Sequence, residues 1–206
     1  MPLCFDHSPR LEAWVRDFEQ TGLAELEAEF EFHRVLPDTA AVVSAVATWR
    51  GKGGKVLGRQ RRMPRVVKEA AGKALLRAHF ARARTFEALL RQVRQAIGSV
   101  CGVGEVTVYD VALRIGIQRD LLPERVRLHA TARESAVLLG LEVSRRSWIS
   151  FESFPRPLRR LAPWGIERFL STYREELEQL SEPQRRASFS VALAPYLLAR
   201  TSLKAA

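Results

Sequence analysis

Asp110 lies in the run VTVYDVALRIG, a carboxylate inside an otherwise apolar helical stretch. A carboxylate in such surroundings is either paired or functional, because burying it without a partner is costly. In a functional role, it would act as a general acid or base. For a purely structural role, the local partner is Arg114, four residues on. His129 is the second catalytic candidate, as a general acid or base or as a phosphate contact; its structural reading is a satisfied, half-buried histidine. Asp120 and Glu124 flank Pro123, where acids suit a helix start. His7, His33 and His79 are scattered, and no His/Cys/Asp/Glu cluster has metal-ligand spacing, so neither a metal nor another cofactor is expected.

A different chemistry, phosphate binding, is written in Ile97 to Gly116, IGSVCGVGEVTVYDVALRIG. Ile97, Val100, Gly102, Val103, Gly104, Val108 and Val111 fall at the spacing h-x-x-h-x-G-h-G-x-x-x-h-x-x-h. One helix ends, a Gly-apolar-Gly turn follows, and a new helix begins. Gly102 and Gly104 read as positions for positive φ and close backbone approach, with Val103 tucked inward to pin the turn. The amides of Gly104, Glu105 and Val106, followed by Thr107, then stand at a helix amino end. Such amides bind phosphate without reading sequence.

This segment resembles the helix-hairpin-helix DNA-binding motif, and more narrowly the hairpin of the helix-hairpin-helix DNA glycosylases. Thr107 matches the threonine that follows the family's turn, and Val108 stands where alanine is usual. A second segment, Val126-Arg127-Leu128-His129, then Arg133, then Leu139-Gly140-Leu141, is similar to the family's V-D-x-H…R…L-G-L stretch. Together they cover about 45 of the 206 residues. The resemblance implies an all-α fold, a DNA-facing hairpin and an enzyme that excises damaged or modified bases, in repair or in defence against phage DNA. Arg127 and Arg133 are carried with the hairpin as DNA contacts. The chain departs from the family where its chemistry sits. Arg127 occupies the position of the catalytic aspartate, and Val106 that of the lysine used for Schiff-base chemistry. Two cysteines, Cys4 and Cys101, are too few for an iron–sulfur cluster or a disulfide framework. Asp110 and His129 therefore remain the candidates for catalysis, and a non-catalytic DNA-binding or architectural module is the alternative.

The elements that must position these residues follow from charge and periodicity. Residues 1–50 carry 9 acidic and 4 basic side chains, a net of −5; residues 51–100 carry 13 basic and 2 acidic, a net of +11. A localised basic excess in a chain of net charge +10 points to nucleic acid, and double-stranded DNA is the expected partner. RNA or an acidic protein is a third reading. The segment GKGGKVLGRQRR contains no Walker A spacing and reads as a flexible basic arm, with Lys52, Lys55, Arg59, Arg61 and Arg62 for phosphates. Arg156, Arg159 and Arg160 form a further cluster. The organisation is an acidic helical segment over 1–50, the basic Gly-rich loop over 51–63, and a helical core over 64–206 with the hairpin at about 86–116.

Helical spacing predicts helices from Ser8-Pro9, over Leu23 to Val35, and from Pro37-Asp38 to Trp49. More follow from Pro64 to about Arg84, from Thr85 on, from Pro123 through Leu139, from Pro163, and after Pro183 to about Leu203. Only Ser147 to Phe151 suggests a strand, so the fold class is all-α. No apolar run approaches the ~20 residues of a membrane span, no signal peptide is visible, and a reducing cytoplasm is the expected compartment.

Overall fold

The computed structural model describes residues 5–54, 56, 58–143 and 147–180, with Lys52 described by its backbone alone. These residues are mostly helical, with one two-stranded sheet. The chain divides into two compact units. One is Arg16–Arg125; the other joins the residues up to Val15 to those from Val126 on.

The first two expected helices run on as one, and the Arg16–Arg125 unit begins within the first of them. Helix α1 (Pro9–Phe18) passes through a wide turn, Glu19–Leu23, into α2 (Ala24–Arg34), and Phe18 and Leu23 both keep right-handed helical angles. Asp38 opens α3 (Thr39–Ala47) by accepting a hydrogen bond from the Ala41 amide at 2.8 Å, as an N-cap should. Helix α4 (Arg65–Arg77) comes close to the end of α3. A Cβ on Gly72 would lie 2.6 Å from the Ala47 carbonyl oxygen, and the Trp49 indole donates to the Lys68 carbonyl at 2.8 Å.

Helix α4 stops short of Arg84 because the backbone turns extended at Ala78. The carbonyls of Phe80, Ala81 and Ala83 beyond it are gathered by the single guanidinium of Arg119. Thr85 then caps α5 (Phe86–Ile97), accepting from the Ala88 amide at 3.2 Å, and α5 buries Phe86, Leu89, Leu90, Val93 and Ile97. Helix α6 (Glu105–Gln118) is the spine of the unit: every residue from Val108 to Ile117 is buried.

The Gly-rich basic segment begins with a small loop. Arg50 and Val56 form an antiparallel bridge, and the Arg50 guanidinium donates to the Gly54 carbonyl at 2.7 Å. Gly53 and Gly54 take the positive φ values, +67° and +74°, that close this small loop. A short 3-10 turn, Gly58–Gln60, follows, and Gln60 is buried.

In the other unit, Ser8 caps α1 as expected, its Oγ accepting from the Leu11 amide at 3.3 Å. The helix expected from Pro123 does not form there. Residues Arg125–Arg127 are strand β1, paired with β2 (Trp148–Ser150), and helix α7 begins only at Ala130 and runs to Leu138. Val126 and Leu128 are buried on either side of half-exposed Arg127, a period of two that suits a strand once a partner strand exists. The partner falls within the Ser147-to-Phe151 run. Helix α8 (Pro163–Thr172) starts at its proline, and the Ser135 hydroxyl on α7 donates to the Leu170 carbonyl on α8 at 2.6 Å. The helix expected between Pro183 and Leu203 lies outside the described residues.

Candidate nucleic-acid interface

The turn between α5 and α6, residues 98–104, is built by two glycines that do different work. Gly102 has φ +92°, a region that L side chains rarely adopt, and a Cβ there would lie 3.0 Å from a Val67 methyl on α4. Gly104 differs from expectation. Its φ is −96° with ψ 171°, ordinary extended backbone, and a Cβ would meet nothing within 4 Å. Gly104 is the N-cap of α6, with its carbonyl accepting from the Val108 amide at 3.1 Å and no side chain closing the cap. The first amides of a helix have no partner within the helix, which at α6 concerns Gly104, Val106 and Thr107. Gly104 and Glu105 are exposed, and Val103, Val106 and Thr107 are half-buried.

The turn is braced from α5. Arg94 grips Glu105 with two hydrogen bonds, Nη2 to Oε2 at 2.5 Å and Nε to Oε1 at 3.2 Å. The carboxylate at the head of α6 is thus drawn toward a guanidinium. On the other side, the contact of Gly102 with Val67 sets the turn beside the beginning of α4, where Arg61, Arg62 and Arg65 are exposed and Lys68 is half-buried. Arg65 is paired with Glu69 at 2.6 Å, but both are exposed, and such a pair is weak in water.

Asp110 lies in the interior of the unit, on the buried stretch of α6. It is 2% exposed, and both its oxygens are engaged: Oδ2 accepts from the Gln60 amide at 2.9 Å and Oδ1 from Arg59 at 3.2 Å. Arg114, the partner suggested by spacing, is taken instead by Glu29 of α2, Nε to Oε1 at 2.6 Å, and its Nη2 also donates to the Gln60 side-chain oxygen Oε1 at 3.4 Å. Arg59, expected as a phosphate contact of the arm, is half-buried and paired with Asp110. His33 lies in the same interior. Its Nδ1 is 2.8 Å from the Glu29 carbonyl, which can only accept, so Nδ1 carries the proton. Its Nε2 and the Arg114 Nη1 are buried without a protein partner. Burial pushes the His33 imidazole below its ordinary range, and the neighbouring Arg114 charge adds to this against the pull of the Glu29 carbonyl.

The remaining candidates belong to the other compact unit. His129, the N-cap residue of α7, meets the buried carboxylate of Glu167 through Nε2 and Oε1, and Ser171 donates to the same oxygen at 3.3 Å. Nothing local in the sequence marks Glu167, because its partner is 38 residues away. Arg127 lies over the Trp148 ring, 5.0 Å from its centroid. Arg133 donates to the carbonyls of Val143 at 3.3 Å and Leu128 at 3.5 Å. Lys55 lies outside the described residues, as does the side chain of Lys52.

No group of three or more His, Cys, Asp or Glu side chains among the described residues is placed to hold a metal ion. No helix among them is long and apolar enough to cross a membrane. Compared with protein-family models, with curated proteins and with solved structures, the chain matches none of them.

Proposed function

We propose that this protein binds double-stranded DNA through its phosphates, as a helix-hairpin-helix protein of the cytoplasm, with the turn 98–104 and the head of α6 as the contact. The observation that carries the reading is the uncapped, sterically open amino end of α6 at Gly104, set beside the exposed arginines that lead into α4. Backbone amides at a helix start receive a phosphate oxygen, and guanidiniums flank the same strand. Backbone amides meeting phosphate oxygens carry no information about the bases, so binding through them is independent of sequence. With three or four phosphates neutralised, log Kd changes against log salt with a slope of about 3 to 4.

Geometry favours the non-catalytic form of this function. Asp110 is buried with both oxygens occupied, and Arg127 stands where the resembled enzymes keep their aspartate. Base excision is the second reading, and the feature that favours it is the pairing of His129, from the second segment of the resemblance, with the buried carboxylate of Glu167. One assay tests both. The protein is mixed with duplexes carrying normal, damaged, methylated or glucosylated bases across a salt series, and binding and alkali-revealed strand breaks are scored together. Salt-dependent binding without breaks is the expected result. Breaks on one substrate would make the protein a glycosylase, and no binding at low salt would end both readings.

A further inference from the structure

A buried row of polar side chains runs through the Arg16–Arg125 unit: Arg59 to Asp110, Asp110 to Gln60, Gln60 to Arg114, Arg114 to Glu29. Asp110, Gln60 and Arg114 are each no more than 2% exposed. Desolvating such charges is expensive, and a well-packed apolar cluster would serve stability as well or better. The best-attested use of a buried polar row is to fix one register. What this row fixes is specific. Asp110 and Arg114 are one helical turn apart on α6, and the two ends of the Gln60 amide are bound between them. The amide nitrogen faces the carboxylate and the amide oxygen faces the guanidinium, so the side chain has one orientation. Glu29 ties the far end of the row to α2.

Gln60 is also the first residue of a tight turn closed by the Met63 amide donating to the Gln60 carbonyl at 3.2 Å. Arg61 and Arg62 are its two middle residues, and both are exposed. Pro64 then starts α4, and Val67, about 4.5 Å further along the helix axis, lies against Gly102. A turn whose first residue is bolted inside must carry its two middle side chains outward.

We infer that Gln60 and Asp110 are positioning residues: they hold the turn 60–63 so that Arg61 and Arg62 form a fixed pair of phosphate clamps beside the α5–α6 turn. This rests on the DNA-binding reading and goes beyond it. The arginines enter as a rigid part of the interface rather than as a mobile tail, and a carboxylate read from sequence as catalytic does its work through the loop it holds.

The test uses the full chain, a dye-labelled duplex of about 20 base pairs, and fluorescence anisotropy across a salt series. Four variants are compared with the parent: Gln60→Ala, the isosteric Asp110→Asn in case Gln60→Ala does not fold, the double variant Arg61→Ala/Arg62→Ala, and the double variant with Gln60→Ala added. The expected result is a loss of affinity of about tenfold for the double arginine variant, with a salt slope lower by about 2. Gln60→Ala, or Asp110→Asn, moves affinity and slope in the same direction and exposes the bonds after Arg61 and Arg62 to faster trypsin cleavage. Added to the double arginine variant, Gln60→Ala causes no further loss. A merely structural role would weaken binding without lowering the slope and would add to the arginine effect; either outcome overturns the inference. If the arginine variant binds like the parent while Gly104→Val does not, the inference falls and the DNA-binding reading stands. If the parent itself does not bind at low salt, both fall.

Discussion

Replacing each glycine of the α5–α6 turn separates folding from binding at adjacent sites. At Gly102, a Cβ must adopt φ +92° and sit 3.0 Å from a Val67 methyl. Left-handed backbone costs about 1–2 kcal/mol for a residue with a Cβ, offset by about 0.4–1 kcal/mol from the less flexible unfolded chain. Gly102→Ala therefore destabilises by about 1 kcal/mol, a fall of about 4 °C in Tm. At Gly104, φ is −96° and nothing lies within 4 Å of a Cβ. A non-capping residue at a helix N-cap costs about 0.5–1 kcal/mol, which the same unfolded-chain gain cancels. Gly104→Val is thus neutral in Tm, yet its methyls occupy the approach to the first α6 amides. Its affinity for a duplex falls about tenfold, the scale of one lost charge-assisted contact. Circular-dichroism melts and anisotropy titrations measure the two quantities on the same samples. A folded Gly104→Val protein with undiminished affinity would refute the use of this turn, and a Gly104→Val protein that melts as early as Gly102→Ala would refute the geometry behind it.

Gly116→Ala has no room to relax, because its Cβ would lie 2.2 Å from the Leu121 carbonyl oxygen, a backbone atom; urea denaturation should show a loss above about 3 kcal/mol or no folded protein. Asp110→Ala leaves Arg59 and Gln60 without their acceptor and should cost about 3 kcal/mol in the same measurement. His33 sets a pH dependence. Its folded-state pKa is depressed by burial, so the unfolded chain binds the proton more readily, and the stability this contributes is complete above about pH 6.5 and is lost as pH falls below it. Urea midpoints of the parent should drop between pH 7 and pH 5, and the drop should shrink in His33→Gln; equal slopes in the two proteins would discard this assignment.

What was legible in the sequence is what chain neighbours decide. Ser8, Asp38 and Thr85 cap helices three residues ahead of the amides they bind, and Pro163 starts α8, so all four were read correctly from spacing. The strand at Arg125–Arg127 was not, because three residues carry no period of their own until β2 supplies hydrogen bonds from about 20 residues on. Asp110 shows the same limit at the site. Local geometry offered Arg114 at i+4, but Glu29, 85 residues earlier, takes Arg114, and Arg59 and Gln60 take Asp110. Both glycines of the turn are alike in the motif; backbone angle and surroundings separate Gly102, at φ +92° against Val67, from Gly104, at φ −96° with nothing within 4 Å of a Cβ.

The discontinuity of one compact unit bears on how the chain is made. Residues 16–125 form a continuous stretch, whereas Leu11 and Val15, fully buried at the end, belong with partners that start at Val126. On a translating ribosome, the continuous unit is complete while those partners are still unmade. Synthesis of residues 126–180 takes about 3–11 s at ordinary elongation rates, far longer than a helix needs to form. For that interval the nascent chain carries an apolar strip on α1 in search of cover, which makes this strip the place where chaperones would bind and where aggregation during synthesis would begin.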